Sequence, residues 1–217
     1  MSMKIAVFDV CDTLYSVNTT FSFLDDYFKD NKKYQIFRKI SRLFVVKVAN
    51  YFVYKYTKKD LIRLYATGFL KGKSVQEIET HAHKFVYGFL STQIQKNIVD
   101  ILIQYKKEGY SIVLMSGSYE FIIKEVANYV EAEYFYASKL QVANGVYLGK
   151  YEEDILLSKD KLLKKQFSNI EELIVVSDNK TDLPLMQVAN SAFAVCNKEK
   201  DCTFWEKYSN ISILKEF

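Results

Sequence analysis

The stretch that decides the fold stands near the amino terminus and reads Lys4-Ile5-Ala6-Val7-Phe8-Asp9-Val10-Cys11-Asp12-Thr13-Leu14. Its first part, residues 4–8, is a short apolar run that ends on the acidic residues Asp9 and Asp12. Such a run is typical of a strand that is buried on both faces of a parallel sheet. Ligands of open parallel sheets bind at the carboxyl ends of the strands, so we expect the two acidic residues at a binding site.

Further apolar runs of the same kind follow in the second half of the chain, at residues 111–115, 173–177 and 192–196. Amphipathic stretches that are typical of helices lie between or beside them, at 120–130, 159–167 and 183–189. This alternation predicts an α/β fold with a parallel sheet. One segment departs from it: at residues 139–150, Asn144-Gly145 between alternating runs predicts a β-hairpin with a type I′ turn.

The region between the first two predicted strands, roughly residues 16–108, has a helical pattern throughout. Aromatic residues recur there at spacings of three and four, and Ser74-x-x-Glu77 is a capping-box signal. We therefore predict two domains: a core made of residues 1–15 and 109–217, and a helical domain made of residues 16–108.

Composition sets the class of the protein. At 217 residues with 49% apolar and 26% charged residues, the chain can bury a sizeable core, which excludes a disordered protein. It has only 7 Gly and 1 Pro but 17 Tyr and 16 Phe, which favours long helices over a turn-rich β-sandwich.

Cysteine usage and hydropathy predict a cytoplasmic protein. Three cysteines without a C-x-x-C spacing suggest neither a disulfide framework nor a zinc ribbon. The first apolar run is too short for a signal peptide. The most apolar stretch, residues 43–54, is interrupted by Lys47 and is far shorter than the ~20 residues that a membrane-spanning helix needs.

Polar residues at the predicted strand ends point to phosphate chemistry. The first strand leads to Asp9, the second to Ser116-Gly117-Ser118 and a later one to Asp178, with Asp182 four residues further on. Carboxylates suit Mg²⁺, which also binds substrate phosphate. Hydroxyl, amide and ammonium donors, the last from Lys159, suit the phosphoryl oxygens.

Four segments of the chain resemble, in order and spacing, the motifs of a known family: Phe8-Asp9-Val10-Cys11-Asp12-Thr13-Leu14, Val113-Leu114-Met115-Ser116-Gly117-Ser118, Lys159, and Val175-Val176-Ser177-Asp178-Asn179-Lys180-Thr181-Asp182. The family is the haloacid dehalogenase (HAD) superfamily. The helical insertion resembles the cap of its phosphoserine-phosphatase-like branch, subfamily IB. This resemblance covers the whole chain and implies a Rossmann-like core with a C1-type helical cap inserted after the first strand.

The resemblance also implies roles for individual residues. Asp9 is expected to be the nucleophile that forms an aspartyl-phosphate, and Lys159, or Lys161 if the register slips, to neutralise charge. Ser116 is expected to bind the phosphoryl oxygens, helped by the backbone amide of Gly117 at the start of a helix.

For the metal, the resemblance implies Mg²⁺ as the cofactor. Its expected ligands are Asp9, the backbone carbonyl of Cys11, and Asp178. Asp182 is expected either to bind the ion through water or to orient Lys159.

Position 11 departs from the family pattern. Family phosphatases carry a second aspartate there, as general acid and base, and this chain has Cys11. Asp12, where the family commonly has Gly, could supply the missing carboxyl; alternatively Cys11 is itself the proton donor, or is an inert buried thiol. Without compensation the enzyme should be slow, because general acid–base help is typically worth ~10²–10⁴-fold.

The sequence therefore predicts a Mg²⁺-dependent phosphatase that acts on a small phosphomonoester. Phosphoserine is not favoured, because Asn18 stands where the related enzymes have Glu. Two alternatives stay open: a phosphate-binding protein that has lost turnover, and a membrane-associated lipid-phosphate phosphatase.

The net charge of +4 is distributed unevenly, since residues 29–63 contain eleven Lys or Arg and two Asp. Three interpretations of this basic, aromatic stretch stay open. It forms the solvated face of a cap helix, it draws a phosphorylated substrate toward the site, or, as the least favoured alternative, it makes a peripheral contact with an anionic membrane. No nucleic-acid-binding module is recognisable. The oligomeric state is not predicted.

Overall fold

The computed structural model describes residues 3–217, and within that range seven strands form one central sheet. Met1 and Ser2, which belong to the predicted core segment 1–15, lie outside the described residues. The strands are β1 (Met3–Phe8), β2 (Ser111–Tyr119), β3 (Tyr134–Ala143), β4 (Val146–Glu153), β5 (Ile170–Ser177), β6 (Ser191–Cys196) and β7 (Ile211–Lys215).

Ten α-helices surround this sheet in the described part of the chain. They are α1 (Thr19–Tyr27), α2 (Lys32–Ser41), α3 (Phe44–Thr57), α4 (Leu61–Gly68), α5 (Val75–Tyr87), α6 (Lys96–Lys107), α7 (Glu120–Val130), α8 (Lys159–Gln166), α9 (Leu183–Met186) and α10 (Glu199–Trp205). Among residues 3–217, no helix combines the length and the apolar character that crossing a bilayer requires.

The strands are arranged in the order β4-β3-β2-β1-β5-β6-β7. Every pair is parallel except β3 with β4. The predicted α/β class and the four predicted strands are therefore confirmed. The hairpin is confirmed as well, since Asn144 and Gly145 join β3 to β4 with φ values of 50° and 75°.

Two parts of the sheet were not predicted from the sequence. Strand β7 continues the sheet beyond β6, and the first half of β3 pairs in parallel with β2 before the hairpin begins. Both lie toward the edges of the sheet, where side chains are partly exposed, so their sequences lack the continuous apolar run that marks a central strand.

Alternate residues of the central strands enter two separate hydrophobic clusters. Phe8, Leu114 and Val176 belong to a cluster that also contains residues of α1, α5, α6 and α7. The preceding residues, Val7, Val113 and Val175, belong to a second cluster with residues of α8, α9 and α10. The sheet is thus covered by helices on both faces, as the apolar runs predict.

Helices α1 to α6 occupy the chain between β1 and β2, where a helical region was predicted. Much of the aromatic surplus packs among them, in a chain of rings that includes Phe23, Tyr27, Phe28, Tyr34, Phe37 and Phe69.

The capping-box signal is only half right. Ser74 is the N-cap of α5, but its side chain makes no capping hydrogen bond. The carboxylate of Glu77 accepts a hydrogen bond from the Tyr27 hydroxyl. A tertiary contact between α1 and α5 thus replaces the local bond that the motif suggests.

Candidate functional site

The adjacent carboxyl ends of β2, β1 and β5 surround a cavity of about 150 Å³. It is bordered by six of the predicted site residues: Asp9, Cys11, Asp12, Ser116, Gly117 and Asp178. Two further predicted residues join this group through contacts: Lys159 contacts Asp9, and Asp182 contacts Lys159. The fold therefore brings together side chains that are up to 173 positions apart, because parallel strands place their carboxyl ends at one edge.

Lys159 connects the two buried carboxylates Asp9 and Asp182. Its ammonium nitrogen lies 2.9 Å from Asp9 Oδ2 and 2.7 Å from Asp182 Oδ2. The Ser177 hydroxyl also donates to Asp182 Oδ2, at 2.7 Å. Lys159 is 3% exposed. A buried lysine with two carboxylate partners is held in one position by hydrogen bonds as well as by charge.

Burial and charge shift the pKa values in this cluster in a consistent way. Burial raises the pKa of Asp9 to about 6, although Lys159 acts in the opposite direction. Burial lowers the pKa of Lys159, but the negative charges of Asp182 and Asp9 outweigh it and leave the pKa raised. Lys159 therefore carries its positive charge next to Asp9 at neutral pH.

Asp178 is held at the end of β5 by Thr13. The Thr13 hydroxyl donates to Asp178 Oδ1 at 2.9 Å and accepts from the Asp178 backbone N–H at 2.9 Å. Burial, followed by the negative charges of Asp9 and Asp12, raises the pKa of Asp178 well above its ordinary value. The Thr13 hydrogen bond and the charge of Lys159 act in the opposite direction on the pKa of Asp178 but do not outweigh burial and the neighbouring carboxylates.

The oxygen atoms available at the carboxyl ends of β1 and β5 suit a hard divalent cation. Asp9 and Asp178 supply carboxylate oxygens, and the carbonyl of Cys11 is a further oxygen ligand of the type that Mg²⁺ takes. Within residues 3–217, no three His, Cys, Asp or Glu side chains are placed to hold a metal by themselves.

Cys11 contacts two hydroxyl groups, one at the start of α1 and one in β2. Its sulfur lies 2.9 Å from Thr19 Oγ1 and 3.8 Å from Ser116 Oγ. The Thr19 hydroxyl donates its own proton to Ser118 Oγ, so the thiol is the donor in its contact with Thr19. Burial and the charge of Asp9 raise the pKa of Cys11 to about 11. The thiol is therefore protonated at neutral pH, and its proton is directed to Thr19.

Asp12 occupies a left-handed backbone conformation, with φ at 54°. Such a φ is uncommon for residues other than glycine, although Asp and Asn tolerate it best. Side-chain amides hold its carbonyl in place, from Asn197 at 2.6 Å and from Gln95 at 3.4 Å. Burial raises the pKa of the Asp12 carboxyl. The conformation explains why glycine suits this position and how aspartate can replace it.

Ser116 and Gly117 lie inside β2, which continues to Tyr119. Helix α7 begins only at Glu120, so the prediction that Gly117 starts a helix is wrong. The space beside Gly117 is nevertheless narrow: a Cβ atom there would lie 2.7 Å from Leu156 Cδ1 and 3.2 Å from Leu156 Cβ. The glycine lets the segment before α8 approach the end of β2 closely.

Lys161, the other candidate for the motif lysine, is exposed on α8, two residues beyond Lys159. It therefore does not share the buried position between the carboxylates. The side chain of Asn18 accepts a hydrogen bond from the backbone N–H of Phe21 as the N-cap of α1, and Asn18 also borders the cavity.

Arg63 is the site residue that sequence reasoning missed. It is 7% exposed, borders the cavity and comes from α4 of the helical region. Its guanidinium donates to the Gly117 carbonyl, to Ser138 Oγ at 3.2 Å and to Asp154 Oδ2 at 2.7 Å. Because it ends a run of surface cations, its sequence context alone did not distinguish it from them.

Comparisons with known proteins agree with this fold. A family model described as haloacid dehalogenase-like hydrolase matches residues 6–187. A phosphoserine phosphatase of Lactococcus lactis subsp. lactis (strain IL1403) is 29% identical over 97 residues, which cover 42% of this chain and 45% of that protein. The chain thus spans just under half the length of this curated relative in the alignment.

Solved structures show the same fold over nearly the whole chain. A protein with unknown function from Bordetella pertussis Tohama I has a TM-score of 0.78 at 15% identity, with 100% of both chains covered. A substrate-bound phosphoserine phosphatase has a TM-score of 0.65 at 16% identity, with 98% of this chain and 93% of that chain covered. At such identities the likeness shows the fold alone.

Proposed function

The chain belongs to the haloacid dehalogenase-like hydrolase family, and we propose that it is a phosphatase that hydrolyses a small phosphomonoester through an aspartyl-phosphate on Asp9. One observation carries the proposal. Asp9 borders the same cavity as Ser116 and Gly117, and the buried Lys159 ammonium lies 2.9 Å from Asp9 Oδ2. A carboxylate with a fixed cation beside it is equipped to accept and hold a phosphoryl group.

In the proposed reaction, a carboxylate oxygen of Asp9 attacks phosphorus, and the bond from phosphorus to the alcohol oxygen breaks. The leaving oxygen takes one proton from solvent, since this chain has Cys11 in place of a second aspartate, and departs as the alcohol. Water then attacks the phosphorus of the aspartyl-phosphate and gives one proton to solvent, while the bond from phosphorus to the Asp9 oxygen breaks; this step releases inorganic phosphate and restores the carboxylate. Lys159 offsets the charge shared by Asp9 and the phosphoryl oxygens, and the Ser116 hydroxyl donates a hydrogen bond to one of those oxygens.

Asp182 is proposed as a positioning residue that acts through Lys159. Its Oδ2 atom accepts hydrogen bonds from Lys159 and Ser177, both at 2.7 Å. A carboxylate that already accepts two short hydrogen bonds on one oxygen is suited to orient the lysine. We therefore assign Asp182 to Lys159 and leave direct metal binding to Asp9, Asp178 and the Cys11 carbonyl.

The proposed cofactor is Mg²⁺, held by those three groups and by water. When bound, it would offset the negative charge that accumulates between the two carboxylates and the substrate phosphate. The assignment is supported by the positions of Asp9 and Asp178, which border the same cavity, and by the raised pKa of Asp178, to which the negative charges of Asp9 and Asp12 contribute.

We propose the same domain division that the sequence suggests, with residues 16–108 as a cap over a core of 1–15 and 109–217. It is supported by Arg63, which reaches from α4 to the Gly117 carbonyl at the site. For the substrate, the names of relatives suggest phosphoserine, but Asn18 supplies no carboxylate for an ammonium group. A small phosphomonoester without that group suits the cavity better.

The proposal is tested with p-nitrophenyl phosphate and Mg²⁺, using the wild type, Asp9→Asn and Asp100→Asn. Asp100 is an exposed carboxylate of α6 and serves as the matched control. We expect hydrolysis by the wild type and the control, a loss of at least about 10³-fold in Asp9→Asn, and a phosphoryl group on Asp9 after acid quenching.

Hydrolysis by Asp9→Asn at the wild-type rate would refute the aspartyl-phosphate mechanism. A wild type that binds phosphate but releases no nitrophenol would instead support the alternative of a phosphate-binding protein without turnover.

A further inference from the structure

Exposed apolar side chains are concentrated on one surface, formed by α2, α3 and α4. Of the 21 large apolar side chains that are exposed within residues 3–217, eleven lie between positions 36 and 65. We call them the apolar surface; its members are Ile36, Ile40, Leu43, Phe44, Val45, Tyr51, Phe52, Tyr56, Leu61, Leu64 and Tyr65. Contiguous apolar surface of this kind marks an interaction site on a protein.

Helix α3 is the centre of the apolar surface. None of its 14 residues is buried, although it is rich in valine and aromatic residues. Phe44 is 79% exposed and Tyr56 is 78% exposed. An exposed apolar helix face of this kind is more stable against an apolar environment than against water.

An apolar groove of about 510 Å³ accompanies this helix. It runs between α2, α3 and α4 and is lined by Ile36, Ile40, Val46, Val53 and Leu61, among others. The groove is open and predominantly apolar, and Asn50, which also lines it, already has hydrogen-bond partners in Asp60 and Leu61, so the groove can accept hydrocarbon.

The charge around the apolar surface identifies the occupant. Residues 31–59 contain nine Lys or Arg and no Asp or Glu. Arg38 and Arg42 pair with Asp25 of α1, but Lys47, Lys55 and Lys58 are exposed on or next to α3. Apolar rings among uncompensated cations match the boundary of an anionic bilayer, where rings enter the acyl region and lysines meet headgroups.

A second copy of the chain fits this surface less well. In a symmetric dimer the same patch lies on both sides of the interface, so the cations around α3 would face each other. That arrangement adds repulsion, whereas an anionic bilayer adds attraction.

We propose that the apolar surface docks onto bilayers that contain anionic phospholipids, with α3 lying in the plane of the interface. At 14 residues, α3 is about 21 Å long, which suits an interfacial helix and is too short to span a bilayer. Phe44, Val45, Tyr51, Phe52 and Tyr56 enter the acyl boundary, while Lys47 and Lys55 contact headgroups.

Docking places the catalytic cavity close to the membrane. Tyr54 and Lys58 at the end of α3 border a cavity of about 250 Å³, which shares Asp60, Arg63 and Leu156 with the catalytic cavity. Membrane binding itself does not depend on the proposed phosphatase activity. Its test therefore uses no substrate, and either proposal can fail without the other.

The test is flotation of the full chain with vesicles, at low and high salt. One set of vesicles is phosphatidylcholine alone, and the other is phosphatidylcholine with an equal amount of phosphatidylglycerol. We expect salt-sensitive binding to the anionic vesicles and little binding to the neutral ones.

Two double variants separate the apolar and the electrostatic contributions. Phe44→Ser with Phe52→Ser should lower the partition coefficient at least about tenfold. Lys47→Gln with Lys55→Gln should lower it about 30-fold, since each cation near an anionic surface contributes about fivefold.

Matched controls lie on other exposed parts of the molecule. Val142→Ser with Val188→Ser removes two exposed apolar side chains, and Lys124→Gln with Lys164→Gln removes two exposed cations. Both controls should bind as the wild type does. Circular dichroism on every variant shows whether it remains folded.

No binding to anionic vesicles at low salt would overturn the proposal, and so would equal binding by the folded Phe44/Phe52 double variant. A dimer in sedimentation experiments that dissociates on the same serine substitutions would show instead that a second copy covers the apolar surface.

Discussion

Replacing Cys11 with aspartate should restore the proton donor that position 11 lacks. The side chain there lies at the cavity, 3.8 Å from Ser116 Oγ, which is the proposed phosphate-binding hydroxyl. The present thiol directs its proton to Thr19 at 2.9 Å, because Thr19 has already donated its own proton to Ser118. A carboxyl group at this position is a stronger acid and reaches further into the cavity.

The expected gain follows from the step that needs the proton. An alkoxide leaving group requires protonation as its bond to phosphorus breaks, and general acid catalysis is worth ~10²–10⁴-fold. Thr19 would compete for the proton of the new carboxyl group, so we expect the lower end, about 10²-fold in kcat/KM for an alkyl phosphate. For p-nitrophenyl phosphate we expect a change below about threefold, because its leaving group needs little protonation.

The assay compares kcat/KM for both substrates in the wild type, Cys11→Asp and Cys11→Asn. The asparagine variant has the shape of aspartate without its acidity, so it should show no gain. kcat/KM is the appropriate quantity because it reports the steps up to the first irreversible one, in which the alcohol leaves. If folded Cys11→Asp hydrolyses the alkyl phosphate no faster than Cys11→Asn, the reasoning about proton transfer is refuted.

Three further perturbations test the rest of the site. Lys159→Met should lower kcat/KM at least about 100-fold, because Asp9 loses its fixed cation. The control, Lys161→Met, should change kcat/KM less than twofold. Equal losses of kcat/KM in steady-state assays of the two variants would contradict the assignment of Lys159. Arg63→Gln should lower the free energy of unfolding by about 3 kcal/mol, since it leaves buried groups unpaired. Arg42, whose side chain is 62% exposed, is the control, and Arg42→Gln should lower the free energy of unfolding by less than about 0.5 kcal/mol. Similar values for both variants in urea denaturation would argue against a buried anchoring role for Arg63. Chelation should abolish hydrolysis and added Mg²⁺ should restore it, and full activity in excess chelator would exclude the proposed ligand set.

The central elements of the fold could be predicted from the sequence, because strands buried on both faces have a continuous apolar run of residues. Strands β1, β2, β5 and β6 are apolar on both faces, and Asn144-Gly145 adopts the positive φ values that a type I′ turn requires. Edge elements leave a weaker signal. Strand β7 and the parallel half of β3 are partly exposed, so only their pairing with neighbours identifies them.

Local patterns failed where a tertiary contact competes with them. Glu77 has the spacing of a capping box, yet it bonds Tyr27 of another helix. Gly117 follows an apolar run, as a helix start would, but β2 continues for two more residues and α7 begins at Glu120. Its value as a glycine lies in the approach of Leu156, a residue 39 positions away.

The sequence by itself determined the α/β class, the order of the central strands along the chain, and the carboxylates, serine and lysine that follow those strands. Each of these features depends on a short contiguous segment of the chain. Tertiary structure alone decided how those residues share partners. In the folded chain, Lys159 and not Lys161 lies between Asp9 and Asp182. Arg63, which belongs to a basic segment of the sequence, contacts the Gly117 carbonyl at the site. Within residues 3–217, helix α3 has no buried residue and no neighbour that covers it. Partner choice depends on distances between segments far apart in the chain, and these distances exist only after the sheet and helices have packed.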